Sequence, residues 1–458
     1  MTQFRGLAYS SADDVVFGSA PHPIRSGFDV QIGSGEVLPE VDFTLPEMLI
    51  KPETWPEVEN QYQRITNGVL ARAQALGCNA IGLEIEHLFE MTTNPDWGAA
   101  LTQQVKNIMR EAYEKNGLRS TLRVTVADTR LVNKPAKMRT GKACEQMLKS
   151  FDLCAAAGAD TLTIESTGGK EIFDEAIVRG DLAGIIYSLG ALACRDVRFL
   201  WKRIVEISKN HNVLPGGDSA CAFGNTAMQL AHQNYIPRVL AALVRAASAP
   251  RTLCAFEEGA SGPGKDCAYE NPVIKIITGV PIAMEGKSAA CAHSSPLGNI
   301  SAATCDFWAN ESVQNVHLLG GAAPEVFAEL LIYDCRLMNT ARKFDSNKLL
   351  RKLLVESDKD KDPQALFLDP ETCFSLAKRI VANANDYSRT LDAARFACST
   401  MKDAVKNNTL RLVEREMKWL NKMETEASSL PDREEELWDQ IKSKYGNHLI
   451  REEYGLNQ

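Results

Sequence analysis

Apolar positions along this chain switch repeatedly between a helical and a strand period. Thr54-Trp-Pro56 puts a cap and a proline at a helix start, and apolar spacing continues to about residue 76, where Gly77 stops it. The run Ala80-Ile-Gly-Leu-Glu-Ile-Glu86 then reads as a short buried strand. The alternation recurs: helix 97–116 and strand 121–127, helix 141–157 and strand 160–165, a long helical stretch 174–210 and the strand start Val213-Leu214. A helix over 225–248 is expected to stop at Pro250, with Thr252 to Phe256 as the next strand. Pro281-Ile-Ala-Met284 and Val316-His-Leu-Leu319 complete seven expected strands.

Strands separated by helices imply a parallel sheet, and this many units is the scale of a TIM-type (β/α)8 barrel. A doubly wound open sheet is the alternative. The pattern does not place the eighth strand, and the expected donor is the N-terminal arm. That arm, residues 1–50, reads as irregular, with Pro21, Pro23, Pro39 and Pro46, and Asp13 to Gly18 as a short strand within it. The barrel is expected over 51–345. From 346 to 458 the chain reads as a helical C-terminal region, with helices at 370–384, 388–405 and 409–426 after the charged linker Ser357-Asp-Lys-Asp-Lys-Asp-Pro363. Leu410, Val413, Met417 and Leu420 form a stripe that reads first as packing against the barrel and second as a subunit interface.

Composition narrows the class. The chain has 458 residues, 45% of them hydrophobic, and a formal net charge of −8, which opposes nucleic-acid binding. The first residues, Met-Thr-Gln-Phe-Arg-Gly-Leu-Ala-Tyr, carry no apolar core of a signal peptide, and the uncharged stretch 182–194 is too short to span a bilayer. A cytoplasmic protein with no membrane contact is expected. Its 12 cysteines then read mainly as buried thiols rather than a disulfide framework. Cys221, Cys267, Cys291 and Cys305 stand apart in loops rich in Gly, Ser and Asn.

Two of these thiols and one carboxylate fall on successive βα loops. Glu165 closes Thr161-Leu-Thr-Ile-Glu165, Cys221 lies in the glycine-bounded segment 216–225, and Cys267 follows a Gly-rich loop after Thr252 to Phe256. Three protein ligands leave a zinc ion one open position for a small oxygen substrate. Spacing alone leaves this reading in competition with structural thiols, since the chain has no C-x-x-C or H-E-x-x-H. Gly259-Ala-Ser-Gly-Pro-Gly-Lys265-Asp266 mimics a phosphate loop. It places Asp where Ser or Thr is required, and Pro263 removes an amide donor. The glycines are better read as a support that brings Cys267 over the barrel mouth, with Lys265 favouring its thiolate.

Four segments carry a resemblance: Thr163 to Gly169, Gly217 to Thr226, Gly262 to Pro272 and Cys291 to Pro296. They resemble the zinc-containing B subunit of methanol:corrinoid methyltransferases, and the similarity extends over nearly the whole chain. The resemblance implies a TIM barrel that binds zinc through Glu165, Cys221 and Cys267. It implies methanol as methyl donor and the Co(I) corrinoid of a separate protein as acceptor. A methoxylated compound or a methylamine is the alternative donor. No Asp-x-His-x-x-Gly cobalamin signature occurs, so the corrinoid is expected on another chain. A homodimer, extended to a heterotetramer with the corrinoid subunit, is the implied assembly. Hydroxide leaves carbon poorly, so the chemistry calls for a proton donor; Asp218 and His293 are the candidates, with Glu84 and Glu86 beside them near strand ends.

Overall fold

The computed structural model describes residues 3–44, 48–313, 317–318 and 321–456. The arm opens with a 3-10 turn, Ala12–Asp14, where a short strand was expected. An antiparallel hairpin follows, β1 (Ser19–Ser26) and β2 (Val30–Ser34). Val30 and Ile32 are fully buried and pack with Leu38, Ala80, Ala283 and Phe307, the first residues of four barrel strands. The hairpin therefore closes the barrel floor.

Seven parallel strands form the barrel wall: β3 (Leu38–Thr44), β4 (Ala80–Glu86), β5 (Arg119–Val126), β6 (Thr161–Ile164), β7 (Leu214–Asp218), β8 (Ala283–Glu285) and β9 (Phe307–Val313), in the order β7-β6-β5-β4-β3-β9-β8. The arm supplies the first barrel strand, β3, as expected. Between β7 and β8 an extended segment over 260–266 takes the sixth position. Ser261 N donates to Pro215 O at 2.7 Å, and Glu285 N donates to Asp266 O at 2.9 Å. Gly264 forms a parallel bridge with Ile282. A side chain at Gly262, whose φ is +81°, would meet the Pro281 carbonyl oxygen at 2.9 Å. This stave is irregular because Pro263 cannot donate and the glycines offer nothing to pack.

Two expected strands differ. Thr252 to Phe256 is the last part of the helix Arg238–Glu257, which continues through Pro250. All of its residues from Val239 onward are buried. Burial on every side hides the helical period, and packing offsets the one backbone bond the proline removes. By length and composition this helix is apolar enough to cross a membrane, but it lies inside the protein. The expected strand at Val316 to Leu319 is not a barrel strand among the described residues: there His317–Leu318 pairs with Gly321–Ala322 alone, and Val316 and Leu319 lie outside the described residues. The strand beside β3 is β9 instead, whose Asn and Glu mask its alternation.

Beyond the barrel come the helices Pro370–Ala382, Asp386–Lys406, Glu414–Ser429 and Glu434–Tyr445. Asp386–Lys406 lies along Arg238–Glu257. The tail reaches back to the barrel mouth, where Gly169 N donates to Tyr454 Oη at 2.8 Å and Arg139 N to Glu453 Oε2 at 2.6 Å.

Candidate metal centre

The C-terminal ends of β6, β7 and the sixth stave carry Glu165, Cys221 and Cys267. Glu165 directly follows β6, and Cys221 opens the helix Cys221–His232, a helix N-terminus that favours a thiolate. One ligand atom from each of the three residues lies within 4.8 Å of the others. Cys267 Sγ lies 2.9 Å from Glu165 Oε1. The sulfurs of Cys221 and Cys267 are in direct contact as a disulfide pair, with Cα atoms 6.0 Å apart. These paired sulfurs stand in for two thiols, and a zinc ion with Zn–S bonds of about 2.3 Å requires them about 3.8 Å apart. One carboxylate and two thiols are a donor set suited to zinc, and three residues leave one tetrahedral position open. The residues fit the ion.

Acids surround the set. Lys265 is buried and lies 2.7 Å from Asp266, 2.8 Å from Glu84, 3.4 Å from Asp42 and 3.9 Å from both Glu86 and Glu165. Its ammonium thus pairs first with Asp266 and Glu84 rather than with the Cys267 sulfur. Burial, followed by repulsion from neighbouring acids, outweighs that ammonium. It raises Glu165 and Asp42 well above the usual carboxyl range and Glu86 to about 7. Asp42 Oδ1 and Glu84 Oε2 are buried with no hydrogen-bond partner.

A cavity of about 90 Å³ opens beside this set, lined by Glu86, Glu165, Cys267, Asn225, His293 and Glu311 among others. That is room for a molecule of a few heavy atoms. A larger cleft of about 660 Å³, bordered by Arg336 and Arg342, lies at the opposite end of the strands, away from the face where barrels conduct chemistry. His293 faces the smaller cavity. Its Nδ1 is 2.8 Å from Glu285 Oε1 and its Nε2 is 2.6 Å from Glu311 Oε2. The hydrogen bonds to these two carboxylates push the imidazole up to about 11, against the opposing effect of burial.

Asp218 does not face the cavity, contrary to its expected role as a proton donor. It is fully buried and accepts from Trp201 Nε1 at 2.8 Å, Ser219 N at 2.9 Å, Ser166 N at 3.1 Å and the Arg251 guanidinium at 2.7 Å. Its two oxygens are taken up by these donors, none of which lines the cavity. Glu84 is likewise withdrawn, accepting from Thr125 Oγ1 at 2.5 Å and paired with Lys265. Sequence reasoning missed Asp42, Glu285 and Glu311. The available signal was period two: Glu40 and Asp42 alternate with Val41 and Phe43 in β3, and Asp42 sits in register with both Glu84 and Glu311.

The family model for the methanol-cobalamin methyltransferase B subunit matches residues 1–455. A methanol–corrinoid protein co-methyltransferase of Methanosarcina barkeri (strain Fusaro / DSM 804) is 38% identical over 455 residues, which is 98% of this chain and 97% of that protein. The crystal structure of the methanol:cobalamin methyltransferase complex MtaBC from Methanosarcina barkeri matches with a TM-score of 0.94 at 37% identity, covering 99% of this chain and 100% of the matched one.

Proposed function

The chain belongs to the methanol-cobalamin methyltransferase B subunit family, and on that premise we propose that Glu165, Cys221 and Cys267 hold one zinc ion at its methyl-transfer site. It is a methyltransferase that passes the methyl group of methanol to the corrinoid of a separate protein. The observation that carries the zinc reading is the convergence of one carboxylate and two thiols within 4.8 Å. When bound, zinc supplies a Lewis acid that stabilises charge developing on the leaving oxygen. The methyl C–O bond breaks with its electron pair on oxygen, the Co(I) pair forms the new bond to carbon, and the oxygen takes one proton to leave as water. His293 and Glu86 line the cavity as proton sources. His293 is held charged by Glu285 and Glu311, and Glu86 is raised to about 7 by burial.

The cavity of about 90 Å³ supports methanol over a methoxylated aromatic donor. Its surplus of carboxylates, on charge alone, favours a methylammonium donor, which is the second reading. A separate corrinoid protein binds at the barrel mouth in this proposal. The exposed Leu330, Leu337, Leu349 and Leu353 on the adjoining helices Ala323–Lys343 and Asn347–Asp358 support a homodimer, extended to a heterotetramer by two corrinoid subunits. The ten free cysteines support a reducing, cytoplasmic location.

Metal analysis of protein purified without chelator, paired with a donor assay, tests the reading. One zinc per chain is expected, and methanol should methylate a Co(I) corrinoid where methylamine does not. Cys267→Ser should lose both the metal and the transfer. Metal-free protein with full activity would sink the zinc assignment, and preference for methylamine would replace the donor.

A further inference from the structure

The three ligand-bearing loops are tied together by two buried carboxylates that touch none of the reacting atoms. Asp218 joins the first loop to the second. It accepts from the backbone N and Oγ of Ser166, the residue after Glu165, at 3.1 and 3.0 Å, and from the backbone N of Ser219, two residues before Cys221, at 2.9 Å. Arg251 neutralises it and also donates to Ser166 O at 3.3 Å. Glu270 joins the second loop to the third. It lies three residues after Cys267, and its Oε1 accepts from Ala220 N, the residue before Cys221, at 2.8 Å and from Thr252 Oγ1 at 2.6 Å. Ser219 Oγ completes the link, accepting from Cys221 N at 3.0 Å and lying 3.9 Å from Cys267 Sγ.

We infer that Asp218 and Glu270 are positioning residues that hold Glu165, Cys221 and Cys267 in the mutual arrangement a single metal ion requires. The inference rests on the zinc reading above. Its physical basis is that Glu165 directly follows a strand, Cys221 opens a helix and Cys267 lies on a loop, so the backbone at these three junctions sets where each side chain starts. Backbone amides of the first two segments make charge-assisted bonds to these carboxylates, whose exposure is 6% or less, and the third segment supplies one of the two, Glu270. Isosteric neutralisation would keep the packing, weaken the amide bonds and leave Arg251 without its buried counter-charge.

The test measures zinc affinity of the full chain by chelator competition and the thiolate charge-transfer band of the Co²⁺-substituted protein. The variants are Asp218→Asn and Glu270→Gln. Asp306→Asn serves as a control, since Asp306 is equally buried but pairs with Lys275 at the barrel floor, 2.9 Å away. Each positioning variant should lose zinc affinity about 10- to 100-fold and show an altered charge-transfer band. Asp306→Asn should lower the unfolding midpoint and leave both readouts unchanged. Asp218→Asn and Glu270→Gln that behave like the control would overturn the inference. If Asp218→Asn does not fold, Ser166→Ala removes one donor without leaving a buried charge, and unchanged affinity there would count against Asp218. Wild-type protein that binds no zinc would defeat the underlying reading instead.

Discussion

His293 shows how far a residue's chemistry depends on what faces it. A histidine in a solvated loop is an ordinary imidazole, but two carboxylates at 2.8 and 2.6 Å hold this one as an imidazolium up to about 11. The folded value lies above the unfolded one of about 6.5. The charged pair therefore stabilises the fold fully below about pH 6.5, and that contribution is lost as pH rises through about 11. Thermal midpoints of wild type and His293→Gln should differ most near pH 6.5 and converge toward pH 11. A constant gap would show that the imidazole is not held charged. The candidate ligands Glu165, Cys221 and Cys267 stood out because Glu, Cys and Cys beside glycines at strand ends are chemically distinctive. Glu285 and Glu311 were not, because each is one acid in a short strand, and only the closing of the barrel brings them to His293.

Pro250 was expected to end a helix and instead lies within one. The extra turns carry Arg251 to Asp218 and Thr252 to Glu270, so the misread segment reaches both buried carboxylates beside the candidate metal site. Helices with one exposed face were read to within a few residues, as at Gly141–Ala157 and Pro370–Ala382. The buried one was not, since its apolar residues show no preferred side. The C-terminal stripe divides in the same terms: Leu410 and Leu420 are buried, whereas Val413 is 64% exposed. Leu420→Ala should cost about 2–5 kcal/mol of stability, and Val413→Ala less than about 0.5 kcal/mol, read from urea unfolding. Equal losses would mean that Val413 is covered in an assembly.

At the scale of the whole molecule, the barrel closes through a segment that does not read as a strand. Arg123 of β5 spans the interior. It donates to Glu40 of β3 at 3.0 and 3.1 Å and to the Pro263 carbonyl of the sixth stave at 2.9 Å. Arg123→Met should lower stability by about 3–5 kcal/mol, because Glu40 stays buried without its partner. An unchanged urea midpoint would contradict that. By itself the sequence determined the βα alternation and the helical C-terminal region and singled out Glu165, Cys221 and Cys267 as candidate ligands, because local periodicity and distinctive side chains are carried by neighbours along the chain. Tertiary structure alone decided the sixth stave, the inward acids around Lys265, and which candidate acids face the cavity. Each depends on side chains far apart in sequence meeting across the barrel, where burial and opposing charge, rather than local pattern, set their state.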